Sequence, residues 1–268
     1  MQMKINQPLV SILGTSFLNS GKQIKKCIKS LKNQNYNNLE FIFVLEPSQN
    51  NNLIFLKQKK KIKNLKIIIN KKKLGFVKSL NKGIQKCKGK YISRVDFDDY
   101  FNKTKITKQV NFMENNKKIG VCGTALFLID GKKRKKKIYP KVNYFIKLYF
   151  YFFNSMAHSS VLIRSSLIKK YGNYNENFNY SEDLELWLRF LSKKIKFYNL
   201  SEPLTYYDIT KKPYLRVREN FIYNLNARKK YSHRIYGNLL GKVNVKLFKI
   251  FINNFELIQS FLNKFLKI

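Results

Sequence analysis

Along the first hundred residues the spacing of apolar positions switches repeatedly between strand and helix periods. Leu9–Leu13, after Pro8, is a short β-rich run, and a loop through Asn19-Ser20-Gly21 follows it. Ile24, Cys27, Ile28 and Leu31 then recur at helical spacing. Leu39–Leu45 is nearly continuous in apolar side chains, the pattern of a strand covered on both faces, and Leu65–Ile69 is another such run. Phe76, Leu80, Ile84 and Cys87 step about one turn apart and predict a helix face. Tyr91–Val95 predicts the next strand, ending on Asp96-Phe97-Asp98-Asp99. Alternation of this kind with short connections predicts an α/β fold: a mostly parallel sheet flanked by helices. Such sheets bind ligands beyond the carboxyl ends of their strands. Glu46 and the Asp96–Asp99 cluster fall at those ends.

The second half is less regular. Val121–Ile129 predicts a strand, Asp130-Gly131 a turn, and Lys132–Lys137 a basic, solvated loop. Val161–Ile163 is a short strand. Glu182–Leu191 is a helix carrying Leu184, Trp187, Leu188 and Leu191 on one side. From about Pro213 the pattern is helical to the end. There Phe248, Phe251, Phe255, Ile258 and Leu262 form an apolar stripe with lysines nearby, which suits either core packing or a membrane surface. Residues 1–210 are therefore expected as one domain (a nucleotide half to about 100, an acceptor half to 210), and 211–268 as a helical extension.

Composition narrows the class. With 44% hydrophobic residues over 268 positions the chain can bury a substantial core, which excludes general disorder. The formal charge is +39, and 46 of the 54 basic residues are Lys. Lys, Asn, Ile, Phe and Tyr share AT-rich codons, so base composition accounts for part of the excess. Whatever its origin, the field attracts polyanions such as nucleic acid or an anionic membrane. No helix-turn-helix, zinc-finger or RNP-like pattern is present, so specific nucleic-acid binding is not expected. Cys27, Cys87 and Cys122 are odd in number and form no CxxC pair, which points to a reducing compartment without disulfides or thiolate metal sites. The N-terminus lacks a signal-peptide pattern. The longest apolar stretch, Tyr144–Phe153, is too short to span a bilayer. A cytoplasmic protein, touching the inner face of the membrane peripherally, is the expectation.

Candidate chemistry centres on the acidic residues, of which the chain has only 15. Three of them, Asp96, Asp98 and Asp99, fall within four positions. Like charges crowded together repel unless a cation is present, and hard ions such as Mg²⁺ or Mn²⁺ take oxygen ligands and bridge to phosphates. The same residues would also suit an acidic surface turn. Ser181-Glu182-Asp183 opens the Trp187 helix and suits either a helix start or a general base for a hydroxyl. His158 is one of two histidines and serves either as a hydrogen-bonding residue or as a contact to a diphosphate or metal. Gly75 and Gly83 lie in no GxGxxG or GxxxxGK pattern, so a phosphate loop there is weakly signalled.

Taken in order, these segments resemble glycosyltransferase family 2 over residues 8 to 208. Pro8–Leu13 is similar to the family's first strand, and Ser30–Tyr36 to its S-hydrophobic-x-x-Q-x-Y helix end. Leu74-Gly75-Phe76 through Leu80–Ile84 and Gly89–Ile92 resembles the lead into the metal motif, and Asp96–Asp99 its DxD-type motif. His158-Ser159-Ser160, Arg164, Gly172-Asn173-Tyr174 and Glu182–Arg189 resemble the acceptor half of capsule, lipopolysaccharide and exopolysaccharide transferases. The resemblance implies a GT-A (Rossmann-like) fold with a helical C-terminal extension. It also implies an inverting, metal-dependent transfer from a UDP-, GDP- or dTDP-sugar to a glycan or lipid-linked acceptor. It assigns Asp98 as principal ligand of Mn²⁺ or Mg²⁺ with Asp96 and Asp99 in support, and Asp183 as the base. Glu182 would orient that base or the acceptor, and Asp96 and His158 would contact the donor. Two segments depart from the family. Leu45-Glu46-Pro47-Ser48 replaces Asp-Asp-Gly-Ser, so Glu46 takes the nucleobase position. Tyr206–Thr210 replaces a Tyr-Arg-x-His segment.

Overall fold

The computed structural model describes residues 7–16, 19–210 and 217–254. The apolar runs become the strands expected of them: β1 (Val10–Ser16), β2 (Leu39–Leu45), β3 (Leu65–Ile69) and β4 (Tyr91–Asp96). Between them lie α1 (Gly21–Lys32), α2 (Gln49–Leu56) and α3 (Phe76–Ile84). Helix α1 begins on a capping box, in which Ser20 and Gln23 each satisfy the other's backbone N–H, and it ends with Lys29 and Lys32 against the negative end of the helix dipole. Gly75, at φ 84°, makes the turn into α3. Gly83 lets α3 lie against β1, since a Cβ there would stand 2.3 Å from Leu13 Cδ1.

β5 (Tyr100–Phe101), α4 (Lys105–Asn115), β6 (Ile119–Asp130), β7 (Lys133–Lys137) and α5 (Asn143–Phe150) follow. A 3₁₀ turn (His158–Ser160), β8 (Leu162–Arg164), α6 (Ser165–Tyr171), α7 (Glu182–Ser192) and β9 (Lys196–Asp208) complete this part, and α8 (Val217–Tyr236) and α9 (Asn238–Asn253) close the described chain. The sheet order is β3-β2-β1-β4-β8-β6-β9-β5, with β7 on the side of β6. The nucleotide half is parallel as expected, since β1 pairs with β2 and β4, and β2 with β3. Beyond β4 the sheet is mixed: β8 runs antiparallel to β4 and β6, and β6 parallel to β9.

Two expectations change. Lys132–Lys137 is no loop, because Lys133–Lys137 pairs antiparallel with β6 as β7. β3 is not covered on both faces; it is the edge strand, and Leu65, Ile67 and Ile68 are only half-buried. The core beneath β1, β2 and β4 gathers Val10, Ile12, Phe41, Phe43, Leu45, Val95 and Phe97 against Ile24, Cys27, Ile28 and Leu31 of α1.

The chain divides into two compact units. One holds the sheet with α1 to α6. The other holds α7, which sequence position placed in the acceptor half, together with α8 and α9. Within this second unit Tyr231 of α8 donates to Glu185 of α7 at 2.5 Å, and Arg189 pairs with the other Glu185 oxygen at 2.9 Å. Ser232 donates to Asn244 Oδ1 at 2.8 Å, and the Arg228 guanidinium lies 3.8 Å from the Phe248 ring centroid. The C-terminal apolar stripe thus turns Phe248 inward. Phe255, Ile258 and Leu262 lie outside the described residues. Among the described residues no helix is long and apolar enough to cross a membrane.

Candidate active site

β4 delivers its last residue, Asp96, opposite Thr15 of β1, while Leu45 of β2 stands opposite Ser16. Asp96 and Glu46 therefore reach the same carboxyl edge of the parallel sheet. The chain turns there, with the Asp99 N–H donating to the Asp96 carbonyl at 3.0 Å. Phe97 anchors the turn. It is fully buried, its ring 5.0 Å from that of Phe43 and 4.6 Å from that of Phe55. Gly14 of β1 makes the room, since a Cβ there would lie 2.6 Å from Phe97 Cζ. Burying a phenylalanine contributes about 2–3 kcal/mol, so the apolar residue inside this acidic run fixes where its neighbours point. The Cys27 thiol lies under the turn, 3.7 Å from the Asp96 carbonyl. Burial pushes its pKa up, and the Asp99, Asp98 and Asp96 carboxylates push it further.

Asp96, Asp98 and Asp99 each offer a carboxylate oxygen, and these oxygens lie within 4.8 Å of one another. Asp96 and Asp98 are half-buried and Asp99 is fully buried. Each flanking carboxylate is held from behind. Arg94, buried in β4, donates to Asp96 Oδ1 at 2.6 Å. Ser159 donates a short hydrogen bond to Asp99 Oδ2, and the Asp208 N–H donates to Asp99 Oδ1 at 3.1 Å. Three oxygen donors so grouped fit a hard divalent cation.

His158 is tied to the same neighbourhood. Its Nε2 lies 2.7 Å from the Tyr174 hydroxyl, and its ring meets Phe76 edge-on. Phe76 in turn receives the Arg94 guanidinium at 5.0 Å. Burial first, and the positive charge of Arg94 second, hold the imidazole pKa down to about 3. His158 is therefore neutral at any physiological pH and serves as a hydrogen-bonding group. Glu46 is buried, and the chain itself supplies donors to it. Oε1 accepts from Ser79 at 2.7 Å and from Asn70 at 3.2 Å, and Oε2 accepts from the Leu74 N–H at 3.0 Å. Its carboxylate thus orders the segment leading to Gly75.

Glu182 and Asp183 open α7 in the second unit. The first is buried and the second half-buried, and Asp183 Oδ1 accepts from the Leu184 N–H at 2.7 Å. Ser181 does not cap this helix with its side chain; it donates to the Asn220 carbonyl at 3.2 Å.

Sequence reasoning missed Arg94, Ser159 and Tyr174 as supports. Arg94 left a signal, a charge in the otherwise apolar strand Tyr91–Val95. Ser159 and Tyr174 stood within quoted motifs, but nothing there marked Asp99 and His158 as their partners, which are distant in sequence. Arg164, quoted among the acceptor-half residues, acts as a clamp. It donates to the Ile119 and Met113 carbonyls at 2.8 and 2.7 Å, and to the Tyr91 hydroxyl at 2.7 Å.

The α/β sheet and its flanking helices are those of the GT-A fold, with a carboxylate cluster beside the ends of its parallel strands. The chain belongs to glycosyl transferase family 2, whose family model matches residues 13–172. It is 29% identical over 235 residues to a glycosyltransferase of Methanocaldococcus jannaschii, covering 86% of this chain and 79% of that one. It is 31% identical over 209 residues to the UDP-Glc:alpha-D-GlcNAc-diphosphoundecaprenol beta-1,3-glucosyltransferase WfaP of Escherichia coli, covering 75% of this chain and 77% of that one. The fold is similar to that of the mannosyltransferase PcManGT from Pyrobaculum calidifontis, solved with GDP-Man and Mn²⁺. The TM-score is 0.67 at 11% identity, over 92% of this chain and 70% of that one.

Proposed function

We propose that this glycosyltransferase moves a sugar, with inversion, from a nucleoside-diphosphate sugar to a hydroxyl of a cell-surface glycan or lipid-linked precursor. The observation that carries the reading is the Asp96–Asp98–Asp99 group at the carboxyl edge of the parallel strands, with its oxygens within 4.8 Å. The named substrates of the Escherichia coli relative support a lipid-linked acceptor. The Mn²⁺ in the structural neighbour supports a divalent ion, Mn²⁺ or Mg²⁺. A lipid-linked acceptor places the work at the cytoplasmic face of a membrane, with the protein attached peripherally.

Asp98, aided by Asp96 and Asp99, would hold the ion. Once bound, it supplies positive charge to the donor diphosphate and makes that group a better leaving group. The remaining roles belong to the chain. Arg94, Ser159 and the Asp208 N–H keep two of the carboxylates aimed before substrate arrives, which spares reorganisation at the moment of reaction. Glu46, beyond the three donors it already accepts, offers a lone pair to a nucleobase N–H. His158, as a neutral ring, contacts the diphosphate side of the donor. Asp183 removes the proton of the acceptor hydroxyl, with Glu182 orienting it. The acceptor oxygen forms its bond to the anomeric carbon as the bond to the diphosphate oxygen breaks, and the electron pair leaves with the diphosphate.

The deciding experiment is a thermal-shift screen of UDP, GDP, dTDP and their sugars with Mn²⁺, on the wild-type chain and on Asp98→Ala. Binding to the folded state raises the melting temperature by mass action. One nucleotide should raise the wild-type melting temperature only with metal present, and Asp98→Ala should abolish that rise. An equal metal-dependent rise in the variant overturns the assignment. Asp183→Asn should keep the rise while transfer falls by about a hundredfold or more. Transfer near the wild-type rate removes Asp183 as the base.

A further inference from the structure

The transfer proposed above assigns no role to β7 and α5, which follow each other in the chain within the first unit. Residues 131–153 contain eight basic side chains and no acidic one. All five residues of β7 are exposed. Helix α5 turns Ile146 and Phe150 inward, both fully buried. Its other side, with the residues just past its end, leaves Tyr144, Phe145, Leu148, Phe152 and Phe153 between 51% and 71% exposed. Ile138, in the link from β7, is 59% exposed. The helix that presents them is fastened to β9. The Asn199 N–H donates to the Lys141 carbonyl at 2.9 Å, the Asn199 amide to the Pro140 carbonyl at 2.8 Å, and the Phe197 N–H to Asn143 Oδ1 at 2.9 Å.

Six large apolar side chains on a pinned surface mark a contact site rather than scattered exposure. Charge selects the partner. A second copy of this chain would set eight cations against eight, whereas a sheet of lipid phosphates meets them with opposite charge. Aromatic side chains interleaved with lysines are also the composition of elements lying in a membrane interface. We propose that the β7–α5 surface docks on an anionic lipid bilayer. The α5 aromatics sit at the headgroup–acyl boundary, and the β7 lysines lie over lipid phosphates. This names the surface for the membrane contact in the function reading above. It stands apart from the chemistry, because lipid binding is measured without donor or acceptor.

The test is flotation of the full chain with vesicles of phosphatidylglycerol and phosphatidylcholine, against phosphatidylcholine alone. With its charge of +39 the whole molecule will adhere somewhat to any anionic surface, so the variants carry the decision. Phe145→Ser with Phe152→Ser keeps the charge and should weaken binding at least about tenfold at physiological salt. Lys133→Gln with Lys135→Gln and Lys136→Gln should weaken it far more than Lys59→Gln with Lys60→Gln and Lys61→Gln. Leu247→Ser with Ile250→Ser, on the exposed side of α9, is the apolar comparator and should leave binding within about twofold. Phe152→Trp guards against misfolding. Its fluorescence should shift to the blue and be quenched by brominated lipid, while Trp187, fully buried, stays unquenched. The proposal is overturned by unchanged flotation of the Phe145/Phe152 variant, by equal loss in the two lysine sets, or by an unquenched Trp at 152. It is overturned equally if the α5 substitutions abolish only self-association in sedimentation velocity.

Discussion

Ser159 shows how much of this site depends on side chains that meet no substrate in the proposed reaction. Its hydroxyl donates to Asp99, whose other oxygen is taken by a backbone N–H. Groups that orient metal ligands from behind commonly contribute ten- to a hundredfold in affinity. Ser159→Ala should therefore weaken metal-dependent nucleotide binding about tenfold while its melting temperature stays close to wild type. Equal affinity by calorimetry would show that Asp99 needs no such support. Lys105 offers a second test. It is fully buried, 3.2 Å from Ser93 Oγ and 3.9 Å from the Phe101 ring centroid, and burial pushes its pKa down to about 7. An unfolded lysine titrates near its ordinary value of 10.5. Between pH 7 and 10.5 the unfolded chain therefore binds more protons than the folded one, and stability rises with pH. Below pH 7 the full cost of the buried cation is present. Lys105→Met should raise stability at pH 7 by about 1–4 kcal/mol, and the gain should shrink toward pH 10.5. A gain independent of pH would mean that shape, not charge, governs the site. Neither residue's role was legible in the sequence. A serine beside a histidine, or one lysine among 46, carries no mark of the partner it meets in the fold.

Elements were legible in proportion to how far their own residues decide them. Leu39–Leu45 and Leu65–Ile69 became strands with the expected boundaries; the first is a nearly continuous apolar run buried within the sheet, and the second, interrupted by Lys66, pairs at its edge. β7 was missed because five consecutive basic residues carry no strand pattern; its order comes from pairing with β6. α4 was missed because Lys105 and Gln109, both buried, interrupt the apolar spacing of Ile106, Val110 and Met113. β9 contains Pro203 and pairs with β6 through register shifts, which hid its alternation. Two predictions belong at this scale. Gly14→Ala forces Phe97 out of its seat and should cost about 1–3 kcal/mol. It should also reduce the metal-dependent nucleotide shift more than Gly131→Ala, which strains a backbone at φ 57° but whose added Cβ meets nothing within 4 Å. Equal effects on that shift would separate Phe97 from the acidic turn. Tyr231→Phe removes the donor from α8 to the buried Glu185 of α7 and should lower stability by about 1–3 kcal/mol, the range for a hydrogen bond to a charged group. Stability within error of wild type, measured in urea, would mean that Arg189 alone satisfies Glu185.

At the scale of the whole molecule, charge is the dominant property. With 54 basic and 15 acidic residues, repulsion opposes the folded state. Added salt screens that repulsion over about 10 Å at 0.1 M, so the melting temperature should rise between low and moderate ionic strength. A fall would mean that ion pairs such as Lys90–Glu114 outweigh the general repulsion. The resemblance read from short motifs held at this scale, since the family match spans residues 13–172 and with them every quoted motif from Ser30–Tyr36 to Gly172; Glu182–Arg189, in α7, lies beyond it. The division of the chain was less legible. α7 lies before β9 in sequence yet belongs with α8 and α9, and nothing in linear order marks such an interleaving.

The thiol under the acidic turn makes the protein its own reporter. Cys27, on the inward face of α1, is fully buried in the core cluster that also holds Phe97, so an alkylating reagent can reach it only when this edge of the sheet opens. The rate at which iodoacetamide consumes it therefore clocks the opening of the sheet edge at this one position rather than of the chain as a whole. Any ligand that clamps the Asp96–Asp99 turn should slow that clock.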